Sequence, residues 1–187
     1  MAPYHTPDRV GRYRDRLDAL VGAAAEVQAI DPREPADGPV LALAYHDIPE
    51  PGHVTGFSYG LSLTTGPARG RELTLTVRSD DPAWCGVPAA VAAALRGLCP
   101  FRPGIVLGHA GPYVTTSAMN SVVLGSPAYD RATRPLDIGT EGSEDLIDFV
   151  GLFPIHASER ELAYSQGADA LWSLDWDRTD PGRAPVV

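Results

Sequence analysis

The chain has 187 residues and a formal net charge of −9 at pH 7, and all 15 of its basic residues are arginine. This length allows one domain, or two small ones, with enough chain to bury a hydrophobic core. The acidic balance argues against a nucleic-acid-binding surface, which needs a basic stripe to displace counterions from phosphates. The acidic excess is local, because residues 137–180 carry 11 acidic side chains against two arginines.

The first predicted element is a long N-terminal helix. Thr6-Pro7 is typical of an N-cap followed by proline at the first helical position. Apolar residues then recur at helical spacing from Val10 to Val27. We predict a helix over residues 7–28, ended by the proline-rich segment 31–35.

Three strand-like runs follow. Residues 40–46 form a nearly continuous apolar run, residues 53–64 form a run interrupted by two glycines, and residues 72–78 alternate between apolar and polar side chains. The glycine-containing segment 65–70 predicts a hairpin loop. We therefore expect the second and third strands to be antiparallel neighbours.

The second half of the chain gives the remaining elements. In chain order we predict a helix over 88–98 with Leu98 on its buried face, weak strands over 105–107 and 121–124, an acidic surface loop over 128–143 and a core strand over 146–155. Ser158 and Glu161 have the form of a capping box and predict another helix, for which Gly167 is a C-terminal stop. Together these elements predict one α+β domain, with a mixed, mainly antiparallel sheet flanked by helices.

The cysteines and the apolar segments indicate the compartment. Cys85 and Cys99 flank a predicted helix whose ends lie too far apart for a disulfide, so we expect two buried free thiols. The longest apolar stretch, residues 87–95, is much shorter than the roughly 20 residues of a spanning helix. The chain is charged from Asp8 onward, unlike a signal peptide. We expect a cytoplasmic protein that contacts no membrane.

One motif resembles a catalytic site. Residues 56–60 match the G-x-S-x-G pattern in which Ser58 would be the nucleophile, and Asp137 and His156 follow in the order of a catalytic triad. No helix follows the serine, however, and the motif depends on a strand-to-helix turn. We interpret the segment as a strand whose glycines permit close approach of another backbone. A serine hydrolase using Ser58 is therefore the least favoured function.

The histidines predict neither a metal site nor a cofactor. His46-Asp47 and His53 lie on either side of a proline turn, without a third ligand at metal-binding spacing. We expect His109 and His156 to be polar boundary residues. No glycine-rich phosphate loop or dinucleotide fingerprint is present.

Several ordered motifs are similar to the suppressor-of-fused domain family. Ser58-Tyr59-Gly60-Leu61-Ser62 is followed by the strand Glu72-Leu73-Thr74-Leu75-Thr76-Val77, then by Trp84 and an apolar helix, and Gly151-Leu152-Phe153-Pro154-Ile155 resembles the ending of the family. The residues that carry the motifs, which we expect to be structural, are Tyr59, Gly60, Ser62, Glu72, Trp84, Gly104, Gly151, Pro154 and Gly167.

The resemblance implies a fold without enzymatic activity that works by binding another protein. Bacterial single-domain members look like immunity proteins, which cap a cognate toxin. The animal members have a second domain and hold a transcription-factor peptide as an added strand, so that binding mode does not transfer intact. Ile105 also departs from the polar residue of many members. With the predicted elements, we expect an N-terminal helix packed on the domain over 1–36, a suppressor-of-fused-like domain over 37–178 and, from its composition, a frayed tail over 179–187.

Two protein-binding hypotheses follow. In the first, an acidic face binds a basic protein such as a toxin domain, because opposite charge both steers association and complements the partner surface. Its candidate residues are Asp137, Glu141, Glu144, Asp145, Asp148, Glu159 and Glu161. In the second, a peptide adds as a strand to an exposed edge, with residues 56–64 and 72–78 as the candidate strands. The acidic residues could also be solvated surface or helix-dipole residues.

Overall fold

A mixed β-sheet organises the chain in the computed structural model, which describes residues 7–34, 38–64 and 70–187. The helices span Pro7–Val21 (α1), Ala83–Leu95 (α2), Ala157–Gln166 (α3) and Ala168–Trp172 (α4). The strands span Glu26–Ile30 (β1), Val40–His46 (β2), His53–Tyr59 (β3), Arg71–Arg78 (β4), Val106–Gly108 (β5), Ser121–Gly125 (β6), Leu136–Asp137 (β7) and Leu146–Ile155 (β8).

The strands of the described residues follow the order β1-β2-β3-β4-β8-β6-β5, with β7 paired to the beginning of β8. Every pair is antiparallel except β4 with β8, where Leu73 lies opposite Val150. This order confirms the predicted α+β domain with a mixed, mainly antiparallel sheet. It also confirms that β3 and β4 are antiparallel neighbours, although residues 65–69 of the predicted loop lie outside the described residues.

Helices cover both faces of the sheet. On one face, α2 packs through Trp84 against Leu73 and Leu75 of β4. On the other face, Tyr13 of α1 packs near Phe57 of β3 in a second buried cluster. Helices α3 and α4 pack on β6 and β8 in a third. The central strands are therefore buried on both sides, as expected for the interior of a three-layer arrangement.

Helix α1 ends at Val21, so the prediction of a single helix over residues 7–28 is wrong. Gly22 adopts a left-handed backbone conformation, with φ at 86°, and its N–H donates to the last turn of the helix. The chain then forms β1 and pairs with β2. Val27, which continues the helical spacing in the sequence, is a strand residue 45% exposed. The predicted N-cap Thr6 lies outside the described residues.

Helix α2 begins and ends earlier than predicted. It begins at Ala83 and not at Pro88, because Asp81 accepts the N–H of Ala83 at 3.0 Å and so satisfies an N-terminal donor. It ends at Leu95. Leu98, predicted on the buried face, is consequently 64% exposed.

The beginning of α3 also differs from the prediction. The helix begins one residue before Ser158, and the carboxylate that accepts the N–H of His156, at 2.9 Å, belongs to Glu159. The predicted reciprocal pair of Ser158 and Glu161 is therefore wrong. Gly167 ends the helix as predicted.

The C-terminal segment is packed on the domain, which differs from the predicted fraying of residues 179–187. The N–H of Arg78 donates to the carbonyl of Thr179 at 2.8 Å. The guanidinium of Arg183 pairs with the buried carboxylate of Glu159 at 2.8 Å. These long-range contacts hold a stretch whose own composition favours no regular structure.

Gly56 allows α2 to lie directly on β3. A Cβ at this position would lie 2.2 Å from the carbonyl oxygen of Cys85 and 2.6 Å from its Cα. The helix and the strand therefore touch through their backbones, as interpreted from the sequence. Cys85 and Cys99 are both buried and free, which confirms that prediction.

We expect Gly56→Ala to lower the free energy of unfolding by about 1–3 kcal/mol, because its Cβ meets backbone atoms that cannot rotate away. Equilibrium urea unfolding measures the change. The matched control is Gly86→Ala in α2, whose Cβ meets nothing within 4 Å. That variant should equal the parent or gain up to about 1 kcal/mol. Equal stability of the two variants would contradict the contact.

Candidate partner-binding surface

A buried carboxylate organises the end of β3. Glu72 is 0% exposed, and its carboxylate accepts hydrogen bonds from the Ser58 hydroxyl at 2.6 Å and from the N–H groups of Gly60 and Ser62 at 2.8 Å each. The N–H of Leu61 points to the same carboxylate at 3.4 Å. A buried carboxylate is tolerated only where such donors replace water. We call Glu72 and these four residues the Glu72 network.

Helix α1 is fixed to the Glu72 network by two side chains. The hydroxyl of Tyr13 donates to the carbonyl of Ser58 at 2.8 Å. The guanidinium of Arg9 donates to the Tyr59 hydroxyl at 3.0 Å and to the Ser62 hydroxyl at 3.3 Å. Burial raises the pKa of Tyr13 well above its ordinary value, and the charge of Glu72 raises it further. Tyr13 therefore stays a neutral hydrogen-bond donor.

Of the three residues that a serine hydrolase would need, only Ser58 belongs to the Glu72 network. Ser58 is 0% exposed, and its Oγ also accepts the N–H of Leu73 at 2.9 Å. Asp137 hydrogen-bonds within its own loop, and the His156 ring contacts the carbonyl of Arg183 at 2.9 Å. The three residues of the hypothetical triad thus have different partners.

The other residues of the family motifs lie in the framework of the fold. Trp84 is buried in the first turn of α2, and Gly104 lies in the turn before β5. Gly151 and Pro154 belong to β8, opposite β6, and Gly167 separates α3 from α4.

The acidic loop forms a short hairpin between β7 and β8. We call residues 137–148 the acidic hairpin. The carboxylate of Asp137 accepts the N–H groups of Gly139 at 2.8 Å and Asp145 at 3.1 Å, which hold its pKa below the ordinary value. A bridge between Thr140 and Ser143 closes the tip. The hairpin is therefore held by its own hydrogen bonds.

Arginines of α1 attach the acidic hairpin to the domain. The Arg9 guanidinium forms two hydrogen bonds to the Asp145 carboxylate, at 2.7 and 3.0 Å. Nε of Arg12 donates to the carbonyl of Ile138 at 2.9 Å. Arg9 is 6% exposed, so this bidentate pair is partly shielded from water. Asp137 and Asp145 thus have structural partners.

Three carboxylates of the acidic hairpin remain directed to solvent. Glu141, Glu144 and Asp148 are exposed, and none of them forms an ion pair within residues 7–34, 38–64 and 70–187. Leu146 lies in the same segment and is 49% exposed. The segment thus exposes three carboxylates and one apolar side chain to solvent.

The two predicted acidic residues of α3, Glu159 and Glu161, do not belong to this surface. Glu159 is 0% exposed and accepts hydrogen bonds from Arg183 and from the N–H of Val186 at 3.0 Å, so it cannot contact a partner. Glu161 is exposed and pairs with its neighbour Arg160 at 3.0 Å. The structure thus brings together five of the seven predicted acidic residues.

The histidines are distributed around the β2–β3 turn and at the other end of the sheet. His46 lies 3.8 Å from the Glu26 carboxylate, and His53 lies 3.8 Å from that of Glu50. The ring of His109 stacks on Tyr113 at a centroid distance of 5.1 Å. In the part of the chain that the structure describes, no group of three or more His, Cys, Asp or Glu could hold a metal ion.

The predicted strands for peptide addition are interior. β3 lies between β2 and β4, and β4 lies between β3 and β8, so both edges of each strand are occupied. Neither strand can accept a peptide without breaking a native pair. This corrects the expectation for residues 56–64 and 72–78.

A feature that the sequence patterns did not predict is the edge formed by β1. Its first four residues are exposed, and its neighbour β2 borders a groove of about 400 Å³ at the beginning of α2. The signal in the sequence was Gly22, a typical helix stop, which the continuing apolar spacing obscured.

The comparisons with known proteins identify the family. The family model for suppressor of fused protein matches residues 37–184, so the chain belongs to this family. This confirms the resemblance seen in the motifs and is consistent with a non-enzymatic protein-interaction domain. No curated protein matches the chain significantly in sequence.

Three solved structures share the fold. A suppressor of fused homologue from Neisseria gonorrhoeae FA 1090 has 17% identity and a TM-score of 0.62, with 96% of this chain and 95% of that chain covered. The Sufu–Fu complex has 14% identity and a TM-score of 0.62, covering 95% and 91%. Drosophila Suppressor of Fused has 13% identity and a TM-score of 0.64, and this chain covers 53% of its length.

None of the described helices is both long and apolar enough to cross a membrane.

We expect Glu72→Gln to lower the free energy of unfolding by about 2–4 kcal/mol. In the variant, the amide keeps one acceptor oxygen, but its NH₂ group faces donors that the second carboxylate oxygen accepts in the parent. Hydrogen bonds to a charged group contribute about 1.5–3 kcal/mol each. Urea unfolding measures the loss. Glu144→Gln, at an exposed carboxylate without an ion pair among the described residues, is the control and should stay within about 0.5 kcal/mol of the parent. A Glu72→Gln variant as stable as the parent would contradict the network.

The Glu159–Arg183 pair predicts a specific acid sensitivity. Burial alone would raise the pKa of Glu159, but hydrogen bonds from Arg183 and from two backbone N–H groups outweigh it and hold the pKa below its ordinary value of 4.5. A depressed folded-state pKa stabilises the fold above the unfolded-state value, and this contribution is lost as pH falls through the folded-state value.

We therefore expect Glu159→Gln to be destabilised by about 3 kcal/mol at pH 7, because Arg183 loses its buried partner. The difference from the parent should shrink steadily below pH 4.5. Urea unfolding across pH 3–7 measures both. Glu161→Gln, on the exposed side of the same helix, should follow the parent profile. Parallel pH profiles for the parent and Glu159→Gln would show that the pair does not control acid stability.

Proposed function

We propose that this chain acts by binding another protein and not by catalysis, as an immunity-type inhibitor that caps a basic toxin domain. The observation that carries the proposal is the acidic hairpin, which exposes Glu141, Glu144 and Asp148 on a segment anchored to α1.

The anchoring of the acidic hairpin favours binding. A loop that is already ordered loses little conformational entropy when it meets a partner. The Arg9–Asp145 pair and the internal bonds of Asp137 supply that order before binding. Exposed carboxylates on such a loop raise the association rate with a basic partner and disfavour acidic ones.

The chemistry of the surface also limits the partner. Carboxylates repel phosphates, so the acidic hairpin does not suit nucleic acid. Proteins that cleave nucleic acid are themselves basic at their active clefts, and the charge of the acidic hairpin complements such a cleft. Leu146, half exposed in the same segment, would supply an apolar contact. Within the family fold, the Sufu–Fu complex is a precedent for a protein partner.

The function can be tested by co-expression. A growth-inhibiting protein encoded beside this chain should lose its toxicity when the chain is co-expressed, and the two purified proteins should bind. Failure to protect against any neighbouring toxin, with both proteins soluble, would overturn the inhibitor role.

The surface can be tested with charge variants. We expect Glu141→Gln, Glu144→Gln and Asp148→Asn together to weaken that complex by about three- to 150-fold, because each exposed pair contributes about 0.2–1 kcal/mol. The effect should shrink at high ionic strength, as measured by titration calorimetry. The control is the equal charge change at exposed residues outside the hairpin, Glu34→Gln, Glu50→Gln and Asp130→Asn. An equal loss in both triple variants would exclude the acidic hairpin as the interface.

A further inference from the structure

One edge of the sheet is formed by β1. β1 is the terminal strand in the sheet order, and no strand within the described residues pairs with its outer side. Glu26, Val27, Gln28 and Ala29 are all exposed. Edge strands of monomeric proteins are commonly guarded by charged side chains, proline or a bulge, and in the sequence Glu-Val-Gln-Ala-Ile only Glu26 is such a residue.

A groove runs beside this edge on one face of the sheet. It has a volume of about 400 Å³. Its floor is formed by the small side chains of Ala42 and Ala44 of β2, and its wall by Pro82 and Gly86 at the beginning of α2. Helix α2 also contacts β1, but the groove left between the beginning of α2 and the two strands gives a side chain on an added strand room to lie against the sheet.

The register assigns the β1 side chains to faces. Glu26 lies opposite Ala44, and Gln28 lies opposite Ala42, so both side chains share the groove face. Val27, between them, projects from the opposite face and is 45% exposed. An added strand would follow the same alternation.

The groove carries negative charge. Two acidic residues, Glu26 and Asp81, line it together with one histidine, His46, whose ring lies 3.8 Å from the Glu26 carboxylate. Asp81 is held in place by the Thr116 hydroxyl at 2.7 Å and by the N–H of Ala83 at 3.0 Å. The hydrogen bond from Ala83 occupies an N–H group at the beginning of α2 to which an anion could otherwise bind. The groove therefore suits a cation.

We propose that the β1 edge binds an extended segment of a partner protein as an added strand, with a lysine or arginine side chain in the groove between Glu26 and Asp81. The segment alternates basic residues, which face the groove, with apolar residues, which face Val27. This inference rests on the proposed protein-binding function but not on the acidic hairpin.

The test uses a short blocked peptide in which valine alternates with lysine. Amide hydrogen exchange of the full chain should slow within Glu26–Ile30 when this peptide is added. A peptide in which valine alternates with glutamate should give no protection. Slowed exchange at β5 or in the acidic hairpin without protection of β1, or equal protection by both peptides, would overturn the proposal.

Charge variants at Gln28 test the groove. Gln28→Glu should tighten binding of the valine–lysine peptide about two- to fivefold, and Gln28→Lys should weaken it by a similar factor. The matched controls are Gln166→Glu and Gln166→Lys, at an exposed position that ends α3. If the variants at the two positions change affinity alike, the groove is not the site.

The experiment separates this inference from the inhibitor role. Protection of β1 by the peptide would support the edge site even if co-expression fails to neutralise any toxin. Absence of that protection would remove the edge site and leave the acidic hairpin unaffected.

Discussion

The fold depends on how the buried carboxylate of Glu72 is satisfied. Its oxygens accept the Ser58 hydroxyl and the N–H groups of Gly60 and Ser62, which belong to the turn that ends β3. A single side chain of β4 thereby determines where β3 stops and how the chain turns. The cost of burying a charge is offset only while every donor is present, so the turn and the strand specify each other. The motif that resembles a nucleophile elbow is explained by this structural role.

The same network extends to the surface through α1. Arg9 donates to Tyr59 and Ser62 on its inner side and to Asp145 of the acidic hairpin on its outer side. The position of the hairpin is thus coupled to the buried carboxylate through one guanidinium. Arginine suits this role because its planar fork holds a carboxylate by two bonds and keeps further donors for the core. The geometry of the proposed interface is in this way a consequence of core packing.

The sequence predicted the parts of the fold that local patterns determine. The apolar runs of β2, β3, β4 and β8 and the helix stop at Gly167 are visible without knowing their neighbours. β1 was missed because Val27 fits both helical spacing and strand alternation, and only pairing with β2 decides between them. Glu159 was assigned to the surface because its partner, Arg183, approaches from the tail. The order of strands in the sheet also depends on contacts between residues far apart in the sequence, which is why β3 and β4 were predicted to be edge strands.

The acidic side chains behind the net charge of −9 differ in their roles, because some are paired within the fold and others are exposed. Within the acidic quarter, Glu159 is neutralised by a buried arginine, and Asp145 by Arg9. On the two proposed surfaces, the exposed carboxylates that pair with no arginine in the described part of the chain are Glu141, Glu144 and Asp148 on the acidic hairpin and Glu26 beside the β1 groove. The family match over residues 37–184 includes the carboxylates of the acidic hairpin and begins after Glu26. Both proposed surfaces carry negative charge, but the hairpin presents it from a closed turn, whereas strand addition at the edge would add backbone hydrogen bonds that require an extended partner.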